Sequence, residues 1–167
     1  GLGADEIFGG YSSFRNYIKV SSLRKLPFLQ LPIRYILKVL KSKGKIHDLA
    51  NERNLTPTSF TLITRQTLGS GYLKALIKNY NEKKVSETRE RLNLLTKNDE
   101  DELTKIAKAE LYIYTIPLLL RDTDQASMLN SLEVRVPFLD HRLVKASFEQ
   151  KGVRMQKEKG YLKNLFK

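Results

Sequence analysis

Apolar side chains in this sequence recur at intervals of three and four, and almost nowhere at intervals of two. A helix gathers positions three and four apart on one face, whereas a strand gathers alternate positions. Leu103, Ile106, Ala107, Leu111, Tyr112 and Tyr114 trace such a face. Asp99 is the expected cap of that helix, with Glu102 three residues on. Pro117 is expected to kink or restart it before Leu118, Leu119, Ala126 and Leu129 carry the pattern onward. Ile7, Phe8, Tyr11, Phe14, Tyr17 and Ile18 trace a second face, interrupted by Gly9-Gly10, which require a turn or packing reason. Pro32 suits a first helical turn ahead of Ile33, Ile36, Leu37 and Leu40. Thr58 to Tyr80 reads as one or two helices parted near Gly69-Ser70-Gly71, and Lys83 to Glu102 is charged and weakly periodic. Asp140 is placed to cap a helix holding Leu143, Val144, Ala146 and Phe148, and Tyr161, Leu162, Leu165 and Phe166 mark a last one. Leu132 to Phe138 alone alternates like a strand, and Pro137 argues against a central one. The expected fold is mainly α-helical, with no internal repeat.

A length of 167 residues suits one domain, and shares of 41% hydrophobic and 29% charged residues suit a folded chain. The absence of cysteine excludes disulfides, a thiol nucleophile and thiolate metal ligation within the chain. His47 and His141, far apart in sequence, give poor support to a histidine metal site. No apolar run approaches a membrane span, and Gly1-Leu2-Gly3-Ala4-Asp5-Glu6 has neither the basic leader nor the apolar core of a signal peptide. Cytoplasmic localisation is the expectation, with no membrane partner.

The compositional anomaly is charge: 30 basic against 18 acidic side chains, a net +12. Such a balance favours nucleic acid, an acidic membrane surface or a polyphosphate ligand. Much of it lies in clusters such as Lys38/Lys41/Lys43/Lys45, Lys83/Lys84 and Lys151/Arg154/Lys157/Lys159/Lys163. With no nucleic-acid-binding motif in the chain, these read as a solvated face whose acidic complement lies in other sequence, and no nucleic-acid partner is expected.

The densest chemical signal is Gly1-Leu2-Gly3-Ala4-Asp5-Glu6-Ile7-Phe8-Gly9-Gly10-Tyr11. Glycines let backbone amides approach a ligand, a helix start favours phosphate oxygens, and a carboxylate there can hold Mg²⁺ against phosphate. The same residues also fit a plain capped helix start. Far downstream lies Arg121-Asp122-Thr123-Asp124-Gln125-Ala126-Ser127-Met128-Leu129-Asn130-Ser131-Leu132-Glu133-Val134-Arg135-Val136-Pro137-Phe138-Leu139-Asp140. The first stretch resembles the Ser-Gly-x-Gly-x-Asp-Glu-x-Phe-Gly-Gly-Tyr signature of the asparagine synthetase family, without its leading serine. The second resembles that family's acidic Ser-Met segment followed by Ser-Leu-Glu-x-Arg-Val-Pro-Phe-Leu-Asp. Glu158-Lys159-Gly160-Tyr161-Leu162-Lys163 is similar to the family's Lys-x-x-Leu-Arg element, with Lys163 in place of arginine.

The resemblance implies that residues 1–167 are part of a synthetase domain: the C-terminal helical portion of an adenine-nucleotide alpha-hydrolase-like α/β fold. The upstream phosphate loop and a glutaminase domain are expected to lie outside it. It implies an enzyme that uses ATP and Mg²⁺ to adenylate the aspartate side chain, releasing pyrophosphate, and transfers ammonia from glutamine to give asparagine. By that resemblance Gly1 supplies backbone contacts at the nucleotide, and Asp5 binds Mg²⁺ at the pyrophosphate. Lys159 neutralises phosphate charge during adenylation. Glu6 is read as a supporting or capping residue. Asp122 and Asp124 are read as organising the pocket. Glu133 and Arg135, two positions apart, share a face in an extended segment and are read as a structural ion pair.

Leu2 departs from the family: glutamine-dependent members carry glutamate there, a residue linked to ammonia attack, and leucine neither accepts a proton nor orients ammonia. Two alternatives therefore stand beside asparagine synthesis. One is a related adenylating amide ligase with another acceptor, and the other is a basic helical nucleic-acid-binding module. Without the upstream elements the chain alone is expected to be inactive, and an exposed face that would otherwise meet the sheet is expected to make it self-associate.

Overall fold

The computed structural model describes residues 2–24, 44–97, 101–150 and 160–165. The expected helix after Pro32, together with Gly1, Asp99 and Lys159, lies outside these residues. The described residues are mainly helical, with no strand among them and no helix long and apolar enough to cross a membrane. The chain forms two compact units, one of residues 1–14 with 98–167 and the other of residues 15–97.

In the first unit α1 is a five-residue helix, Ala4–Phe8. Gly9, at φ 66°, ends it in the left-handed region that glycine enters without a Cβ clash, and Gly10 donates its N–H to Asp5 O at 2.9 Å. That turn is why the second apolar face breaks at Gly9-Gly10, and α2 (Ser12–Arg24) starts afresh beyond it. The helix after residue 100 opens at Asp101, one of four consecutive acids. Its carboxylate accepts from the backbone of Leu103 and Thr104 and from the Thr104 hydroxyl at 2.7 Å, so Asp101 and not Asp99 is the cap of α7 (Glu102–Glu110). The label α7 follows α3 to α6 of the second unit, given below.

From α7 the chain stays helical through a wider π segment, Leu111–Leu120, into α8 (Arg121–Met128). Pro117 lies inside the π segment, and the helix runs through it without restarting. Proline removes one ladder bond and presses on the carbonyl four residues back in an α-helix; here the backbone answers by opening the turn instead of breaking. Leu132 to Val136 has no regular secondary structure, and Pro137–Leu139 forms one 3₁₀ turn. Asp140 then caps α9 (His141–Glu149), and α10 covers Gly160–Leu165. Ala4, Ile7 and Phe8 of α1 form the centre of the unit, with Phe138, Val144 and Leu162 packed around them.

The second unit holds α3 (Lys45–Asn51), α4 (Pro57–Arg65), α5 (Ser70–Leu76) and α6 (Glu82–Leu95). Thr58 to Tyr80 is thus two helices, parted by Gln66 to Gly69. The weakly periodic charged stretch is helical as far as Leu95, its first turn capped by the Asn81 side chain, which accepts from Lys83 N and Lys84 N. Phe60 and Ile63 of α4 are buried with Tyr17 and Leu92, and the Tyr17 and Phe60 rings meet edge to face at 5.4 Å. Polar ties hold the periphery: Lys45 Nζ reaches Thr64 O at 2.9 Å, Ser70 donates twice to Asp48, and Arg89 pairs with Glu52 at 3.1 Å.

Helix α4 depends on its first turn, where the Thr56 hydroxyl accepts from Ser59 N and the Ser59 hydroxyl accepts from Thr56 N. Replacing an N-cap threonine removes one such partner at a cost of about 1 kcal/mol. Thr56→Ala is expected to lower stability by about that amount in urea unfolding followed by circular dichroism, with the slope unchanged.

Candidate functional site

The site begins at a turn that only glycine takes comfortably. Gly3 has φ 92°, and a Cβ built on it would lie 2.5 Å from Leu139 Cδ2 and 2.6 Å from Leu139 Cγ. Leu139 closes the second long motif, so the two motifs, more than a hundred residues apart in sequence, are in direct contact here. The contact continues one turn along α1, where the Phe8 and Phe138 rings meet edge to face at 6.1 Å. The juxtaposition accounts physically for both the glycine of the first motif and the Pro-Phe-Leu of the second.

The two acids of the first motif separate. Successive helical residues differ by about a third of a turn in direction, so neighbours face different surroundings. Asp5 is half-buried in the first turn of α1, while Glu6 is fully buried. Glu6 Oε1 accepts the Tyr11 hydroxyl at 3.0 Å and the Thr115 hydroxyl of the π segment. Its Oε2 is buried without a hydrogen-bond partner among the described residues. A carboxyl so placed is costly to bury and is retained by the donors aimed at it. Glu110, also fully buried, accepts the Ser13 hydroxyl at 2.8 Å. Two glutamates therefore tie the corner between α1 and α2 to the α7–π helix.

Of the other candidates from sequence, Asp122 and Asp124 lie exposed on α8, where Asp122 pairs with Arg121 at 3.4 Å. Glu133 and Arg135 do pair, Nε to Oε1 at 3.0 Å, in a stretch without regular secondary structure in which both side chains are largely exposed. Ser127 donates to Asp124 O within its own helix. Gly1 and Lys159 lie outside the described residues. Asp5 fits one ligand position for Mg²⁺: it stands two residues after the glycine turn, partly open to solvent, and Mg²⁺ takes one or two carboxylates with the rest from phosphate and water. Among the described residues no three His, Cys, Asp or Glu side chains converge as a metal cage.

Sequence reading missed Tyr11, Thr115, Ser13 and Glu110 as partners. A signal existed for two of them: Glu110 and Thr115 continue the apolar stripe of Leu103, Ala107 and Leu111 at helical spacing, and a polar residue on a buried stripe requires a buried partner. At the far end of the second motif, the Arg142 side chain donates to both Asp140 oxygens and the Arg142 backbone N–H donates to Oδ1. The Arg142 guanidinium, with that N–H, holds the Asp140 carboxyl well below the usual carboxylate range. Since the folded value is the lower one, this cap persists through neutral and mildly acid solution and is lost only in strong acid.

Comparison with known proteins follows this geometry. The family model described as Asparagine synthase matches residues 1–167. Asparagine synthetase [glutamine-hydrolyzing] 1 of Bacillus subtilis (strain 168) is 27% identical over 142 residues, which is 84% of this chain and 22% of that protein. The chain thus spans about a fifth of its relative's length. No solved structure matches.

The contact between the motifs makes a double-mutant test. Gly3→Ala should destabilise by about 2–4 kcal/mol, from left-handed strain plus overpacking against Leu139. Adding Leu139→Ala removes the overpacking alone, so the pair in chemical denaturation should lose less than the sum of the single variants.

Proposed function

The chain belongs to the asparagine synthase family, and from that premise we propose that it is part of an ATP-dependent asparagine synthetase. The aspartate side-chain carboxylate attacks the α-phosphorus of ATP, giving an acyl adenylate and pyrophosphate. Ammonia derived from glutamine then displaces AMP to leave asparagine. What supports this reading is the family match over the whole chain, with the glycine turn and the Pro-Phe-Leu turn of its two motifs packed on each other.

In this reading Asp5 holds Mg²⁺, which neutralises charge on the departing pyrophosphate. Backbone groups at Gly1 meet the nucleotide, and Lys159 supplies a point charge to the phosphates. Glu6 keeps α1 seated so that Asp5 faces outward, and the Glu133–Arg135 pair steadies the stretch before Pro137. Asp122 and Asp124 contribute acidic groups to the pocket wall. The 167 residues contain neither a Ser-Gly-Gly-x-Asp-Ser loop nor a cysteine, so the chain alone is proposed to be inert.

Leu2 favours a second reading that keeps adenylation and changes the amine. It is half-buried and apolar where an ammonia-using site calls for an acid. The complete polypeptide carrying this chain is therefore tested for pyrophosphate release with ATP and Mg²⁺, with and without aspartate. Aspartate-dependent release that falls about a hundredfold or more in Asp5→Asn is the expected result. Release indifferent to aspartate but stimulated by another carboxylate selects the second reading, and no release with any carboxylate refutes adenylation.

The second motif leaves several large apolar side chains in solvent, including Met128, Leu132, Val134 and Leu129, the last 87% exposed. An apolar surface of this kind drives association when its natural cover is absent. The isolated chain is proposed to self-associate, with sedimentation shifting to larger species as concentration rises and Leu129→Ser/Leu132→Ser reversing the shift. A monomer at all concentrations contradicts it.

A further inference from the structure

The net charge is not spread over the molecule. Residues 15–97, the second compact unit, carry 18 Lys and Arg against 5 Asp and Glu, a net +13. The remainder, which contains both long motifs, carries 12 against 13, a net −1. Within the second unit's described residues the balance is still 13 basic against 5 acidic. Charge gathered in one body in this way is self-repelling unless an anionic partner covers it.

The same unit exposes aliphatic surface beside its cations. Helix α5 buries none of its residues, and a helix of seven residues has little stability of its own. Tyr72 and Leu76, four positions apart on one face, are exposed, Leu76 at 70%, and Ile77 follows them. At the end of α6, Leu94 and Leu95 are exposed between Arg91 and Lys97, which are exposed too. Lys78, Lys83 and Lys84 are likewise exposed.

We propose that the 15–97 unit docks on an anionic lipid surface, with Leu76 and Ile77 entering the headgroup boundary and Lys78, Lys83 and Lys84, which follow them closely in the chain, meeting lipid phosphates. The combination selects this partner. A nucleic acid would use the cations but offers little to exposed leucines and isoleucines, and Tyr72 is the one tyrosine or phenylalanine exposed among the unit's described residues, where stacking requires several. A lipid interface takes both, with apolar side chains in the acyl boundary and basic ones at the phosphates. The exposed apolar residues of the first unit have no such excess of charge and are not part of the surface. Contact of this kind lies on the membrane without spanning it, so it departs from the solvated face expected from sequence and agrees with the lengths of the helices. The inference does not rest on the proposed chemistry.

The test is sedimentation of the complete polypeptide carrying this chain, against a vesicle-free control, with vesicles of phosphatidylcholine alone and of equimolar phosphatidylcholine and phosphatidylglycerol, at physiological and at molar salt. Binding to the anionic vesicles alone, released at molar salt, is the expected result. Lys83→Glu/Lys84→Glu should weaken it by at least about twenty-five-fold, roughly fivefold for each cation lost with the added anions weakening it further. Acidic residues in the first turn of α6 favour that helix, so this variant keeps its fold. Leu76→Ser/Ile77→Ser, exposed positions both, should also weaken binding, with the circular dichroism spectrum of each variant unchanged. Equal sedimentation with both vesicles, or none with either, overturns the proposal. So does an RNA oligomer that displaces the chain while the Leu76→Ser/Ile77→Ser variant binds as before, since that result assigns the surface to nucleic acid.

Discussion

A helix of five residues has no stability in water, because nucleation costs more than its few hydrogen bonds return. Helix α1 exists because the rest of its unit is packed on it: the α7 stretch, the Pro137–Leu139 turn, α9 and α10 all contact it. Ala4, Ile7 and Phe8 supply the apolar side of that packing. Glu6 supplies the polar side, and this buried acid determines where the corner after α1 and the π segment must lie. If α1 were not held, Gly3 would not meet Leu139 and the two motifs would have no common location.

The π segment is the counterpart of that constraint. An apolar stretch interrupted by a proline can break, kink or widen. Here it widens, and the chain remains one helix from Glu102 to Met128. Continuity matters because Glu110 and Thr115 lie on the same rod and bind the same corner, one through Ser13 and the other through Glu6. A break at Pro117 would leave the position of α8, and of the motif that follows it, set by the loop alone. Wide helical turns recur near functional sites, where an α-helix cannot bring the required side chain into register.

Legibility in the sequence followed the range of the interaction. Helical class, the Asp140 cap and the Glu133–Arg135 pair were readable because each depends on residues within a few positions. The cap at Asp101 was misplaced by two residues because the run of four acids from Asp99 to Glu102 offers two aspartates, and only the geometry selects the one that reaches Leu103 and Thr104. The Glu6–Thr115 contact spans 109 positions. A threonine on an apolar stripe announces that it needs a partner without saying which. Family resemblance located the motifs, but it could not say that Gly3 is glycine partly because Leu139 occupies the space of a side chain.

The partition of charge follows from the same reasoning applied to the whole chain. The unit that contains the motifs is nearly neutral, and its buried acids are matched by hydroxyl donors from distant elements. Its chemistry requires fixed, desolvated groups, and surplus charge nearby would perturb them. The 15–97 unit joins Phe14 to Asn98 without adding to either motif, so its surface is free of those demands. Its ties, Ser70 to Asp48, Arg89 to Glu52 and Lys45 to Thr64, use only a few of its polar groups, and its core is confined largely to α4 and its neighbours. Strong positive charge and leucines left in water are the two features of this unit that call for a cover, and the proposed lipid surface meets both at once.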